Sequence, residues 1–84
     1  MKKVTLYTSS LCPFCIRALQ LLDNKDVIYQ NISVDGDPGI RQAMTEKAGR
    51  HTVPQIWIGD LHVGGCNELF ALESEGQLEN LLKS

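Results

Sequence analysis

The chain has 84 residues, 43% of them apolar, and ten acidic against eight basic side chains give a formal charge of −2. That composition suits one small core over residues 1–84 rather than a disordered polymer, and the slight acidity argues against nucleic acid or an anionic membrane surface as the main partner. The longest apolar run, Leu69 to Leu72, falls far short of the roughly 20 residues of a spanning helix, and Lys2-Lys3 leads into Val4-Thr5-Leu6-Tyr7 rather than an export segment, so a cytoplasmic monomer is expected.

Lys3 to Thr8 alternates apolar and β-prone residues and predicts a first strand, ending at the Ser9-Ser10 turn that delivers Cys12. Pro13 suits the first position of a helix, where its missing N–H costs nothing, and Cys15, Ala18, Leu19 and Leu22 recur at helical spacing to about Asn24. Val27 to Val34 reads as a second strand with Ile28, Gln30, Ile32 and Val34 on one face, closed by Asp35-Gly36-Asp37. A second helix is expected from Pro38, along Ile40, Met44, Lys47 and Ala48, to a C-cap at Gly49.

Gln55 to Ile58 and Leu61 to Val63 flank Gly59-Asp60, a two-residue hairpin loop with the glycine first. After Gly64-Gly65, Asn67 is a candidate N-cap for a third helix carrying Leu69 and Leu72 and stopped by Gly76, and Leu78, Leu81 and Leu82 suggest a short terminal helix. Strands joined by a helix lie parallel and the hairpin is antiparallel, so the expected fold is α/β: a four-stranded mixed sheet with helices on both faces.

Three cysteines are an odd number, too few for a disulfide scaffold, and point to reactive sulfur. Cys12-Pro13-Phe14-Cys15 opens a helix directly after a strand. As a staple it is weak, since closing a four-residue loop is worth about 1.9 kcal/mol. As half of a zinc site it lacks a second ligand pair, because Cys66, His51 and His62 are scattered singly, so no metal is expected. As a redox pair it has a physical basis: the unpaired N–H groups and dipole of the helix start favour a thiolate at Cys12, and Cys15, one turn inward, is placed to resolve a mixed disulfide.

Two further segments could hold a ligand. In Thr52-Val53-Pro54-Gln55, Pro54 either simply opens a strand or makes a cis bond beside the sulfurs that presents the Val53 backbone to an extended peptide. Gly64-Gly65-Cys66-Asn67 is either an ordinary strand-to-helix turn or a helix start offering N–H groups to a carboxylate. Cys66 reads as a small, partly buried residue serving through its backbone N–H, with a regulatory disulfide or glutathionylation as the alternative. Trp57 and Phe70 read as core, and His51 and His62 as surface or groove-edge residues.

Taken in order, CPFC, TVPQ and GGCN resemble the glutaredoxins along essentially the whole chain, in particular the small bacterial glutaredoxin-3 type. The resemblance implies the thioredoxin fold (β-α-β-α-β-β-α), a cis Pro54, and a glutathione-dependent oxidoreductase that reduces protein disulfides and glutathione mixed disulfides through Cys12 and Cys15. Glutathione would be the co-substrate and regenerated indirectly by glutathione reductase, with disulfide-containing or glutathionylated proteins as partners. It would be bound by Phe14, Thr52, Val53, Pro54, Gly65, Cys66 and Asn67. Two positions depart from the pattern: Ser9 replaces a common lysine or arginine, for which Arg50 or Arg17 could compensate, and Asn67 replaces a frequent aspartate. The alternatives are a glutathione-ligated [2Fe–2S] carrier, disfavoured by Pro13 and Cys15, and a redoxin reduced by thioredoxin reductase, disfavoured by GGCN.

Overall fold

A computed structural model describes residues 2–83. Strand β1 (Val4–Thr8) leads into helix α1 (Pro13–Asn24), followed by β2 (Tyr29–Ser33), α2 (Pro38–Ala48), β3 (Gln55–Ile58), β4 (Leu61–Gly64), α3 (Cys66–Ser74) and α4 (Leu78–Lys83). The sheet order is β2-β1-β3-β4, with β2 parallel to β1 and the other neighbours antiparallel. This is the expected thioredoxin fold, a four-stranded mixed sheet flanked by helices, with α4 as the short terminal helix that Leu78, Leu81 and Leu82 foretold.

Alternation along the central strands divides the sheet into two chemically different faces. Val4, Leu6, Ile56 and Ile58 cluster with Ala18, Leu22, Leu69, Leu78 and Leu82 of α1, α3 and α4 in the main apolar core. The intervening residues Tyr7 and Trp57 meet edge to face on the opposite side, and Lys47 of α2 lies 4.5 Å from the centre of the Trp57 ring. The position of β1 in the middle of the sheet carries its C-terminal end, and hence Cys12, to the rim beside the start of β3.

Helix boundaries follow local chemistry. Pro13 and Pro38 each open a helix, and the Asp37 carboxylate caps α2 by accepting from the Ile40 N–H at 3.1 Å. Gly49, at φ +73°, ends α2 by donating to the Thr45 carbonyl, as its predicted C-cap role requires. Gly59 takes the left-handed φ of +59° that the two-residue hairpin loop needs.

The structure corrects three expectations. The second strand is shorter than 27–34, and Ile28 does not share a buried face with Val34: it is 87% exposed whereas Val34 is buried. Asp26 adopts φ +58° and the Val27 N–H returns to the Leu22 carbonyl, so the chain enters the sheet only at Tyr29 with Val27 turned inward. The N-cap of α3 is Gly65, not Asn67, because the helix already includes Cys66 and the Glu68 carboxylate reaches back to accept the Gly65 N–H at 2.6 Å. Phe70 is only half-buried and carries the Arg17 guanidinium 5.1 Å from its ring centre.

Candidate active site

Cys12 is the N-cap of α1: its extended backbone precedes the helix, and its sulfur accepts the Cys15 N–H at 3.1 Å. That bond places an unpaired helix N–H on the sulfur, a contact that strengthens when the sulfur is charged. The Cys12 sulfur also lies 3.6 Å from the Val53 carbonyl oxygen, to which its thiol donates, so α1 and the loop before β3 meet at this atom. The Val53–Pro54 peptide is cis.

The two sulfurs of the pair differ sharply. Cys12 is partly exposed, whereas Cys15 is 1% exposed beneath it, and its thiol is pushed up to about 12, first by burial and then by the hydrogen bond and charge of Cys12. An accessible sulfur with a backbone donor therefore stands in front of a protonated reserve thiol.

Beside them is a surface cavity of about 160 Å³. All seven residues singled out for ligand binding, namely Phe14, Thr52, Val53, Pro54, Gly65, Cys66 and Asn67, line it together with Arg50 and Glu68. Cys12 is absent from the lining itself and joins the cavity through Val53. The three short motifs, the outer two separated by more than half the chain, thus converge on one groove.

Arg50 and Glu68 were not among the expected ligand residues in this pairing. Arg50 Nη2 lies 3.2 Å from Glu68 Oε1, the same oxygen that holds the Gly65 N–H. The Gly65 N–H first, and the Arg50 guanidinium second, hold the Glu68 carboxyl below its ordinary range. The sequence signal was present as Glu three residues after the helix N-cap, but it became readable only once the cap was placed at Gly65. Gly64 completes this corner at φ +116°, where an added Cβ would fall 2.6 Å from Glu68 Oε1 and 2.8 Å from Arg50 Nη2.

Of the two arginines considered for the charge missing at position 9, Arg50 lines the groove and Arg17 is engaged on Phe70. Ser9 itself donates to Asp35 Oδ1 at 2.6 Å, and the Ser10 N–H donates to Oδ2 at 2.8 Å. These bonds, that from Ser9 first, keep the Asp35 carboxyl below its usual range, so the turn before Cys12 is tied to a carboxylate. Arg41 of α2 reaches the loop differently, donating to the His51 carbonyl at 2.7 Å just ahead of Thr52.

Cys66 is 5% exposed, and burial pushes its thiol up from the ordinary value. Its side chain faces inward at the first turn of α3, so the regulatory-thiol alternative loses the exposed, activated sulfur it would need. His51 is exposed as expected, but His62 is half-buried, stacked on Trp57 with ring centres 4.7 Å apart.

Comparison with known proteins agrees with this geometry. The family model described as glutaredoxin matches residues 4–63. The chain is 54% identical over 84 residues to a glutaredoxin of Pseudomonas aeruginosa, covering all of both chains. It is 46% identical over 83 residues to Glutaredoxin 3 of Escherichia coli K12, covering 99% of this chain and all of that one. Among solved structures, a buckwheat glutaredoxin–glutathione complex superposes with a TM-score of 0.88 at 29% identity, covering 95% of this chain and 76% of the other. With the strand-CPFC-helix opening, the cis-proline loop and the Gly65 helix start all in place, the chain belongs to the glutaredoxin family of oxidoreductases.

Proposed function

We propose that this chain is a glutathione-dependent dithiol oxidoreductase in which Cys12 is the nucleophile, Cys15 the resolving thiol, and the groove of Phe14, Thr52, Val53, Pro54, Gly65, Cys66 and Asn67 the glutathione site. The observation that carries it is the Cys12 sulfur held between the Cys15 N–H and the Val53 carbonyl at the edge of that groove. The buckwheat protein supports it as a similar fold that binds glutathione.

The chemistry balances with thiols alone. The Cys12 thiolate attacks the glutathione sulfur of a glutathionylated protein; a Cys12–glutathione disulfide forms, and the protein sulfur leaves as a thiolate that takes up a proton. A second glutathione thiolate then attacks the glutathione sulfur on Cys12, releasing oxidised glutathione and restoring the Cys12 thiolate. On a protein disulfide, Cys12 forms the mixed disulfide, and Cys15 loses its proton and displaces the substrate, leaving a Cys12–Cys15 bond. Two glutathione molecules reopen that bond and leave as oxidised glutathione. The burial of Cys15 suits this order, because its thiol stays protonated until the mixed disulfide has removed the charge on Cys12 that helps to suppress its ionisation.

Phe14, 52% exposed, offers an apolar wall to the ligand, and the N–H groups in the first turn of α3 beyond Gly65, whose own N–H is held by Glu68, are offered to a ligand carboxylate at the other end of the groove. The decisive assay supplies a glutathione mixed disulfide with glutathione, glutathione reductase and NADPH, in parallel with thioredoxin reductase and NADPH. Turnover in the first and none in the second is the expected result. Turnover only with thioredoxin reductase would replace this reading with that of a thioredoxin-like redoxin.

A further inference from the structure

Gln55 is fully buried at the first position of β3, two residues beyond Val53, and its side chain points to the α2 side of the sheet. Its amide Nε2 lies 3.0 Å from the Thr52 carbonyl oxygen and 3.3 Å from the Thr52 hydroxyl, and its Oε1 lies 2.7 Å from His62 Nε2. A carbonyl oxygen can only accept, so the amide must present its NH₂ to Thr52 and its oxygen to His62. His62 must then donate from Nε2, which fixes the neutral ring as the Nε2–H tautomer. The Thr52 carbonyl and the proton on a histidine of β4 thus anchor a buried amide at its two ends, and that amide holds a residue of the groove.

The ring is itself held. His62 pairs across the hairpin with Trp57, and the two rings stack at 27°, while Tyr7 meets the Trp57 edge and Lys47 covers its face. A register shift between Ile56 and Trp57 lies between the His62–Trp57 pair and Gln55, and it is across this irregularity that the ring nitrogen reaches Gln55. Neither His62 nor Gln55 lines the cavity.

We propose that His62 is a positioning residue for the glutathione groove, acting through Gln55 to hold Thr52 at the entry to the cis-proline loop. This rests on the reading of that groove as the glutathione site. Without the His62 donor, the Gln55 oxygen is buried without a partner, and the amide that holds Thr52 is anchored at one end only. The loop then samples positions that a bound tripeptide must reorder, which weakens binding without altering the sulfur chemistry.

His62→Phe keeps the aromatic stack and removes the donor, whereas His62→Gln places an amide N–H close to the position of Nε2. In the glutathione-coupled assay, His62→Phe is expected to raise the KM for glutathione about threefold or more while leaving kcat within about twofold, the pattern of lost binding rather than lost chemistry. His62→Gln is expected to restore most of the KM. Nitrogen NMR of the wild-type chain is expected to show the Nε2–H tautomer, a readout independent of turnover and of whether either variant folds. Equal KM values for wild type and His62→Phe, equal defects in the Phe and Gln variants, or an Nδ1–H tautomer would each overturn the proposal. A wild-type chain inert toward glutathione would instead fail the functional reading, and with it this role, so the two failures are distinguishable.

Discussion

The Cys15 backbone N–H donates to the Cys12 sulfur at 3.1 Å, while the Cys15 thiol lies buried with its pKa pushed up to about 12. One residue thus supports its neighbour as a nucleophile through its main chain and withholds its own sulfur. At pH 7 a thiol raised so far stays protonated. Brief treatment of the reduced protein with iodoacetamide at neutral pH should therefore give a single adduct, located on Cys12 by peptide mass spectrometry. Early labelling of Cys15 or Cys66 would contradict the burial described. On the same basis Cys12→Ser should lose activity on the order of 10³-fold or more toward every substrate, whereas Cys15→Ser should keep turnover of glutathione mixed disulfides and lose that of protein disulfides. Equal losses in both variants would show that the two sulfurs do not divide the work.

Gly64, beside the groove, is the glycine with the least room for a side chain. At φ +116°, with Glu68 and Arg50 within 3 Å of an added Cβ, Gly64→Ala should cost about 1–3 kcal/mol of stability and break the Glu68 bond to the Gly65 N–H. Gly36→Ala is the control: φ is +70° but nothing lies within 4 Å of its Cβ. Urea unfolding should show a loss in both variants, and a weakened KM for glutathione in Gly64→Ala alone.

His62 gives the protein a titration visible through its single tryptophan. Burial first, then the positive charges of Arg50 and Lys47, lower its pKa below 6.5, and the Glu68 carboxylate opposes them. Protonated imidazole quenches a stacked indole, so Trp57 fluorescence should fall with acid at a midpoint below 6.5, and His62→Phe should abolish the step. Because the folded pKa is the lower one, the unfolded chain binds the extra proton between the two values. The stability contributed by neutral His62 is therefore complete above about 6.5 and is lost as pH falls through the folded pKa. A fluorescence midpoint above 6.5 would reverse that sign.

Position 9 carries a serine bound to Asp35 where a base is frequent in the resembling family. Ser9→Lys should pair with Asp35 and add positive potential near the sulfurs. The expected gain in glutathione affinity is roughly two- to threefold, the ~0.5 kcal/mol of an exposed charge pair, and it should vanish at high salt. An unchanged kcat/KM at low salt would show that the groove, with Arg50 already in its lining, needs no base there.

Element order, both proline helix starts and the Gly59 loop were readable from local chemistry, because Pro, Gly and the apolar period act within a few residues of themselves, whereas the convergence of the three motifs on one groove was implied only by the family resemblance. Ile28 was misread because its β-branched side chain fits a strand pattern that cannot register the turn at Asp26. Asn67 was misread as a cap for a related reason: an asparagine at a helix start suits that role, but the Glu68 carboxylate lay within reach of Gly65 and moved the boundary back. His62 and Gln55 were opaque for a different reason. Seven residues apart in sequence, they meet only through the hairpin and its register shift, which no periodicity encodes.

The burial of Cys66 also bears on damage. Three thiols in one chain allow three internal pairings and three cysteines at which peroxide can begin irreversible oxidation. Two of them are shielded as protonated, buried thiols, so both the first oxidation event and its repair by thiols are channelled through Cys12. Peroxide stress on this protein is then recorded on one atom, at the edge of the groove proposed to bind glutathione.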